Sequence, residues 1–113
     1  MSGEVINLKN DWERDPDSFV YIGHYHPAWM WKGGYALQGS KWRNPWKKAI
    51  HAVEITREEG LRRYGEYVRE RYWDQLRELD GRVLACWCAP LPCHGHVLLR
   101  LIEERADRLR GEG

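Results

Sequence analysis

Residues 81–105 read GRVLACWCAPLPCHGHVLLRLIEER, and this stretch constrains the fold more than any other. Val83-Leu84-Ala85-Cys86-Trp87-Cys88 is apolar throughout and follows an Asp80-Gly81 turn signal. That is the pattern of a strand buried on both faces. Pro90 and Pro92 cannot extend it, because each lacks a backbone donor. Pro92 instead suits the first turn of a helix. From Cys93 onward, Val97, Leu98, Leu101 and Ile102 fall on one helical face, with Arg100, Glu103, Glu104 and Arg105 on the other. A doubly buried strand feeding an amphipathic helix needs strands beside it and helices over it. The expected class is therefore α/β: a small, mainly parallel sheet of three to four strands with two or three helices, in one domain over residues 1–113.

The rest of the chain supplies those partners. Glu4–Leu8 and Phe19–Ile22 are rich in β-branched and aromatic residues and read as strands. Between them Lys9–Ser18 is charged, contains Pro16, and reads as a loop with room for one helical turn. Trp46–Val53 fits a short extended segment or a helical turn equally well, with Lys47 and Lys48 as a solvated edge. Thr56-Arg57-Glu58-Glu59 fits a capping box, in which Thr56 caps the first turn and Glu59 reaches back. Leu61, Tyr64, Val68, Tyr72, Leu76 and Leu79 then step by three or four, giving one long helix or two with a break near 71–73. Opposite charges at the same spacings, among them Arg62, Arg63, Glu66 and Arg69, make a self-paired solvent face rather than a basic stripe for nucleic acid.

From Gly23 to Pro45 no period is sustained, and Pro27, Gly33-Gly34 and Gly39 interrupt it. A loop this long in a small domain is more often functional than not. It interleaves Trp29, Trp31 and Trp42 with Lys32, Lys41 and Arg43, a mixture suited to stacking on a ring with cations near its phosphate. For any single tryptophan, packing onto the sheet is the simpler reading. His24 and His26 form an i, i+2 pair within metal-binding reach, although a plain loop pair explains them as well.

The cysteine stretch supports three readings. In the first, Cys86, Cys88, Cys93 and one of His94 or His96 bind zinc. The ligand types suit that ion, although C-x-C-x4-C-H-x-H departs from the usual knuckle. Period-two geometry puts Cys86 and Cys88 on the same face of the strand. In the second, Cys93 is a reactive thiolate or His94 an acid/base, in a site at the strand's carboxyl end. The amides of Cys93, His94 and Gly95 in the first helical turn then offer an anion site. In the third, the cysteines simply pack and His94 is a satisfied internal histidine.

Three cysteines, no signal peptide and no bilayer-length apolar run point to a reduced, cytoplasmic protein without a disulfide scaffold. A formal net charge of +1 gives no case for nucleic-acid or membrane binding by charge alone.

Val20-Tyr21-Ile22-Gly23, Ser40-Lys41-Trp42-Arg43-Asn44-Pro45-Trp46 and the late Leu84-Ala85-Cys86-Trp87-Cys88 with Pro92-Cys93-His94-Gly95-His96-Val97-Leu98 resemble the domain of unknown function 4326 family of bacteria and their phages, in the same order along the chain. The chain departs from that pattern at three places. His24 stands where arginine is common, Arg43 where glycine is, and His96 where an acid is. The Cys…Cys-His ending is also loosely similar to domain of unknown function 488. These resemblances imply a Rossmann-like sheet with a site after the last strand, and no reaction.

The expected function is accordingly that of a nucleotide- or nucleic-acid-related binding protein or enzyme. Gly23, His24, Trp42, Asn44 and Gly95 would contact the ligand, with Asn44 orienting it. Cys93 or His94 would serve transfer or hydrolysis at a glycosidic or phosphate bond. The competing expectations are a zinc-stabilised module without catalysis, and an accessory protein that binds a protein partner through exposed tryptophans.

Overall fold

The structure is a computed structural model that describes residues 3–88 and 91–112. Three strands, β1 (Glu4–Asn7), β2 (Val20–Tyr21) and β3 (Val83–Cys86), form a sheet in the order β1-β3-β2. Both pairings are parallel, with Glu4 opposite Val83 on one side and Val20 opposite Leu84 on the other. The last strand in sequence is therefore the central one, which accounts for its being apolar at every position.

Its alternation sorts the core. Leu84 and Cys86 belong to the cluster on the helical side, with Tyr64, Val68, Leu76, Leu98 and Leu101. Ala85 points the other way, to Ile6, Leu8, Phe19 and Leu37. The strand expected through Cys88 ends at Cys86. Beyond it, the Asn7 side-chain amide donates to the Trp87 carbonyl at 3.1 Å and caps the end of the ladder. The second strand is likewise shorter than the sequence suggests, although the Ile22 amide still donates to Ala85 at 3.0 Å.

The ambiguous segment is a helix, α1 (Lys47–His51). Asn44 prepares it, since its Oδ1 accepts the Trp46 amide at 2.9 Å. The next helix, α2 (Arg57–Arg71), starts at Thr56, whose Oγ1 accepts the Glu59 amide at 3.0 Å. Only half of the expected capping box forms, because the Glu59 carboxylate turns forward to Arg62 at 2.6 Å and Arg63 at 3.1 Å. The break falls at Tyr72, and a 3₁₀ segment over Trp73–Leu79 follows. Gly81, at φ +73°, takes the left-handed turn that returns the chain to β3.

The last helix, α3 (His94–Glu112), lays Val97, Leu98, Leu101 and Ile102 on the sheet and on α2. Arg69 and Glu104 bridge the two helices at 2.5 Å. Cys93 precedes this helix instead of lying in its first turn. The Pro90 end of the proline-bounded loop lies outside the described residues.

The loop after Gly23 crosses between layers. Main-chain bonds between His26 and Leu37, both 2.9 Å, close its first half on the face opposite the helices. Its second half returns to the helical side, where Trp42 is buried. Among the described residues, no helix is long and apolar enough to cross a membrane.

Candidate functional site

Parallel pairing brings the carboxyl ends of all three strands to one edge of the sheet. Leu8-Lys9 leave β1 there, Gly23-His24 follow β2, and Trp87-Cys88 follow β3. These segments line a cavity of about 680 Å³, together with α1, the start of α2 and the start of α3. Ligands of open α/β sheets bind at this edge, and the size is that of a small-molecule pocket.

The thiols form one end. Cys86 and Cys88 come from the strand and its exit, and Cys93 comes from the residue before α3. The Sγ atoms of Cys86 and Cys93 are 3.3 Å apart, and those of Cys88 and Cys86 are 3.7 Å apart. All three lie within 4.8 Å of one another. Cys86 and Cys93 are buried, Cys88 is half-buried, and none is in a disulfide.

This arrangement reverses one expectation. A helix start usually lowers a thiol pKa, but hydrogen bonding to Cys86 pushes Cys93 up to about 11. Cys88 is raised as well, chiefly by its hydrogen bonds to Cys86 and Cys93. Three touching thiols cannot ionise together without a compensating charge. As the cluster stands, these hydrogen bonds favour the protonated form of Cys93.

Two of the three amides of the expected anion cradle at the start of α3 are bonded internally. The Gly95 amide donates to Cys93 Sγ at 3.2 Å, and the Cys93 amide donates to His96 Nδ1 at 3.2 Å. His96 is therefore turned to the main chain and stands outside the thiol group. Gly95 serves packing and not ligand contact. A Cβ there would come within 2.9 Å of the Val5 methyls and 3.1 Å of Ile22 Cδ1.

His94 is buried, and its Nε2 lies 2.6 Å from the Ile22 carbonyl oxygen. Burial holds its pKa below the usual histidine value, so the ring is neutral and Nε2–H donates. The lone pair then sits on Nδ1, which lies 3.9 Å from Cys93 Sγ. His24 also lines the cavity, and its Nε2 donates to the Asn44 carbonyl at 3.0 Å. Asn44 is buried there, with Oδ1 already committed to the turn before α1. Neither His24 nor His26 joins the thiol group.

An aromatic wall faces these polar groups. The His26 ring lies 4.3 Å from Trp87 at 30°, and Trp31 meets Trp87 edge-on at 5.4 Å. The loop tryptophans take different roles. Trp31 lines the cavity, Trp29 is 83% exposed, and Trp42 is 3% exposed. Trp42 was expected to touch ligand. It is instead a core residue against Tyr72, outside the cavity lining, because the loop folds back onto α2 at that point.

Four cations complete the lining: Lys9, Lys32, Lys47 and Arg57. No Asp or Glu is among the described lining residues. Sequence reasoning missed Lys9, Lys47, Arg57 and Trp87. Lys9 carries a usable signal, since it directly follows a strand that ends at the functional edge. Lys47 and Arg57 carry none, because only the packing of α1 against α2 turns them inward.

These features define a small α/β protein with a parallel sheet and a cavity at its strand carboxyl ends. The chain belongs to the domain of unknown function family DUF4326, whose family model matches residues 6–104. It is also similar to an uncharacterized protein of Acanthamoeba polyphaga mimivirus, 33% identical over 103 residues, covering 82% of this chain and 72% of that one. No solved structure matches the chain significantly.

Proposed function

We propose that this protein binds a phosphate-bearing, ring-bearing small molecule of the nucleotide class in the cavity at the sheet's carboxyl edge. The observation that carries this reading is the composition of the lining: four cations, an aromatic wall and, among the described residues, no carboxylate. A chain with a net charge of only +1 has gathered a single sign of charge in one concave place. Low-dielectric walls focus such a field. The ring would stack against Trp31 and Trp87, and the phosphates would meet Lys47, Lys9 and Arg57. A cavity of this kind suits a mononucleotide better than a duplex, which needs an extended basic surface. The three parallel strands, with ligand at their carboxyl edge, are also what a reduced Rossmann-like sheet would present.

A panel of nucleoside mono-, di- and triphosphates, nucleosides and inorganic phosphate tests this by thermal shift and calorimetry. The expected result is stabilisation by a nucleotide, weaker for the nucleoside and for phosphate alone, and fading as salt rises. Equal, negligible effects across the panel would overturn the reading. Chromatography of the same mixtures after incubation reads hydrolysis or transfer at the phosphate or glycosidic bond.

A further inference from the structure

We infer that Cys86, Cys88 and Cys93 bind one thiophilic divalent cation, zinc being the best fit, with the ion's fourth position turned into the cavity. This inference does not rest on the nucleotide reading.

The distances carry it. Zinc held by thiolates at about 2.3 Å in a tetrahedron places its sulfur ligands about 3.8 Å apart. The sulfur separations here are 3.3 Å and 3.7 Å, with all three atoms inside 4.8 Å. A disulfide needs about 2.05 Å, so the trio is set at metal-ligand spacing and not at bonding distance. Cysteines that merely fill a core have no reason to converge from a strand end and a helix start onto one point. Thiolate sulfur also selects zinc over magnesium or calcium, which take oxygen.

The fourth position follows from where the trio sits. All three cysteines line the cavity. Structural zinc sites are closed by four protein ligands, whereas catalytic sites keep three and leave one place open. Here the trio is the whole group among the described residues. His94 Nδ1 lies 3.9 Å from Cys93 Sγ and is not one of the group. Three thiolates around a divalent ion carry one net negative charge, and the four lining cations more than offset it. An oxygen of water or of a bound ligand would occupy the open place, where the ion polarises it.

The test uses the full chain, purified without a metal-affinity tag or chelator and kept reduced. Elemental analysis should find about one zinc per chain. Cys88→Ser changes a half-buried thiol, so it should keep the native circular dichroism spectrum while losing most of the metal. Replacing zinc with cobalt(II) should give sulfur-to-cobalt charge-transfer bands and tetrahedral d–d bands in the wild-type protein. Adding azide should shift the d–d bands. Cobalt bands that azide leaves unmoved, with His94→Gln altering them instead, would make the site a closed one and overturn the open position. No zinc or cobalt uptake by the reduced protein, or a Cys86–Cys93 disulfide in its place, would overturn the metal site altogether.

Discussion

The hydroxyl of Tyr64 donates to the main-chain carbonyl of Trp42 over 2.6 Å, joining two residues 22 apart in sequence. Tyr64 is fully buried, and Trp42 is 3% exposed. This bond ties the returning half of the long loop to α2. Tyr64→Phe keeps the ring and leaves a buried carbonyl without that partner. The expected cost is about 1–3 kcal/mol, read as a lower midpoint in urea denaturation. An unchanged midpoint would show that water replaces the hydroxyl and that the loop is held by packing alone.

Gly95 sets how closely α3 approaches the sheet. A methyl group there meets Val5 at 2.9 Å and Ile22 at 3.1 Å. Gly95→Ala should destabilise by roughly 1–3 kcal/mol, as overpacking does. Val5→Ala in the same chain should recover part of that loss, because the two changes share one contact. Strictly additive losses in the double variant would refute the steric account.

Lys47 lines the cavity, whereas Lys41 lies outside it and pairs with Glu78 at 2.9 Å. If nucleotide phosphates meet the lining, Lys47→Gln should weaken binding by about tenfold or more, the loss of one charge-assisted hydrogen bond. Lys41→Gln should leave affinity unchanged. Equal effects from the two variants would mean that the response is to net charge and not to the cavity.

Glu59 supplies a dependence on acid. Its hydrogen bonds to Arg62 and Arg63 lower its pKa from 4.5 to about 2. A depressed carboxyl pKa stabilises the folded state above the unfolded value and stops doing so as pH falls toward the folded one. Wild type should therefore exceed Glu59→Gln slightly in thermal stability at neutral pH, and the gap should close between pH 4.5 and about 2. The pair is solvent-exposed, so added salt should shrink the gap as well. A gap that persists at the acid end would point to lost helix propensity instead of lost charge.

Trp29 and Trp31 stand two residues apart with opposite fates. Trp29 is 83% exposed, while Trp31 packs edge-on against both Tyr35 and Trp87. Trp29→Ala should change stability by no more than about 0.5 kcal/mol. Trp31→Ala should cost roughly 2 kcal/mol or more through the cavity it leaves. Comparable losses in urea denaturation would contradict this division.

The parts legible in sequence are those with a period or a fixed local chemistry. The apolar Val83–Cys88 run marked the buried strand, which ends two residues sooner at Cys86, and the period-two expectation that Cys86 and Cys88 share a side agrees with sulfurs 3.7 Å apart. Thr56 marked the start of α2, and the suspected break falls at Tyr72. The convergence of Gly23, His24 and the cysteines at one sheet edge followed from parallel strands alone. The long loop has no period, so nothing in the sequence separates core Trp42 from cavity Trp31 or exposed Trp29. The free-amide reading of the α3 start is narrowed for a local reason: Cys93 Sγ accepts the Gly95 amide and His96 Nδ1 accepts the Cys93 amide. Arg57 and Lys47 look like any solvated cation until two helices fold against each other.

The strand order has a consequence for how the chain is made. β1 and β2 do not pair with each other, and each forms its ladder with β3, which begins at Val83. A ribosome releases the first two strands early, and neither can close a ladder until the last third of the chain has emerged. Every sheet contact spans a long stretch of sequence, the kind of connectivity that slows folding. Until then the nascent chain carries two apolar edges in waiting, with α2 the longest element able to form without the sheet.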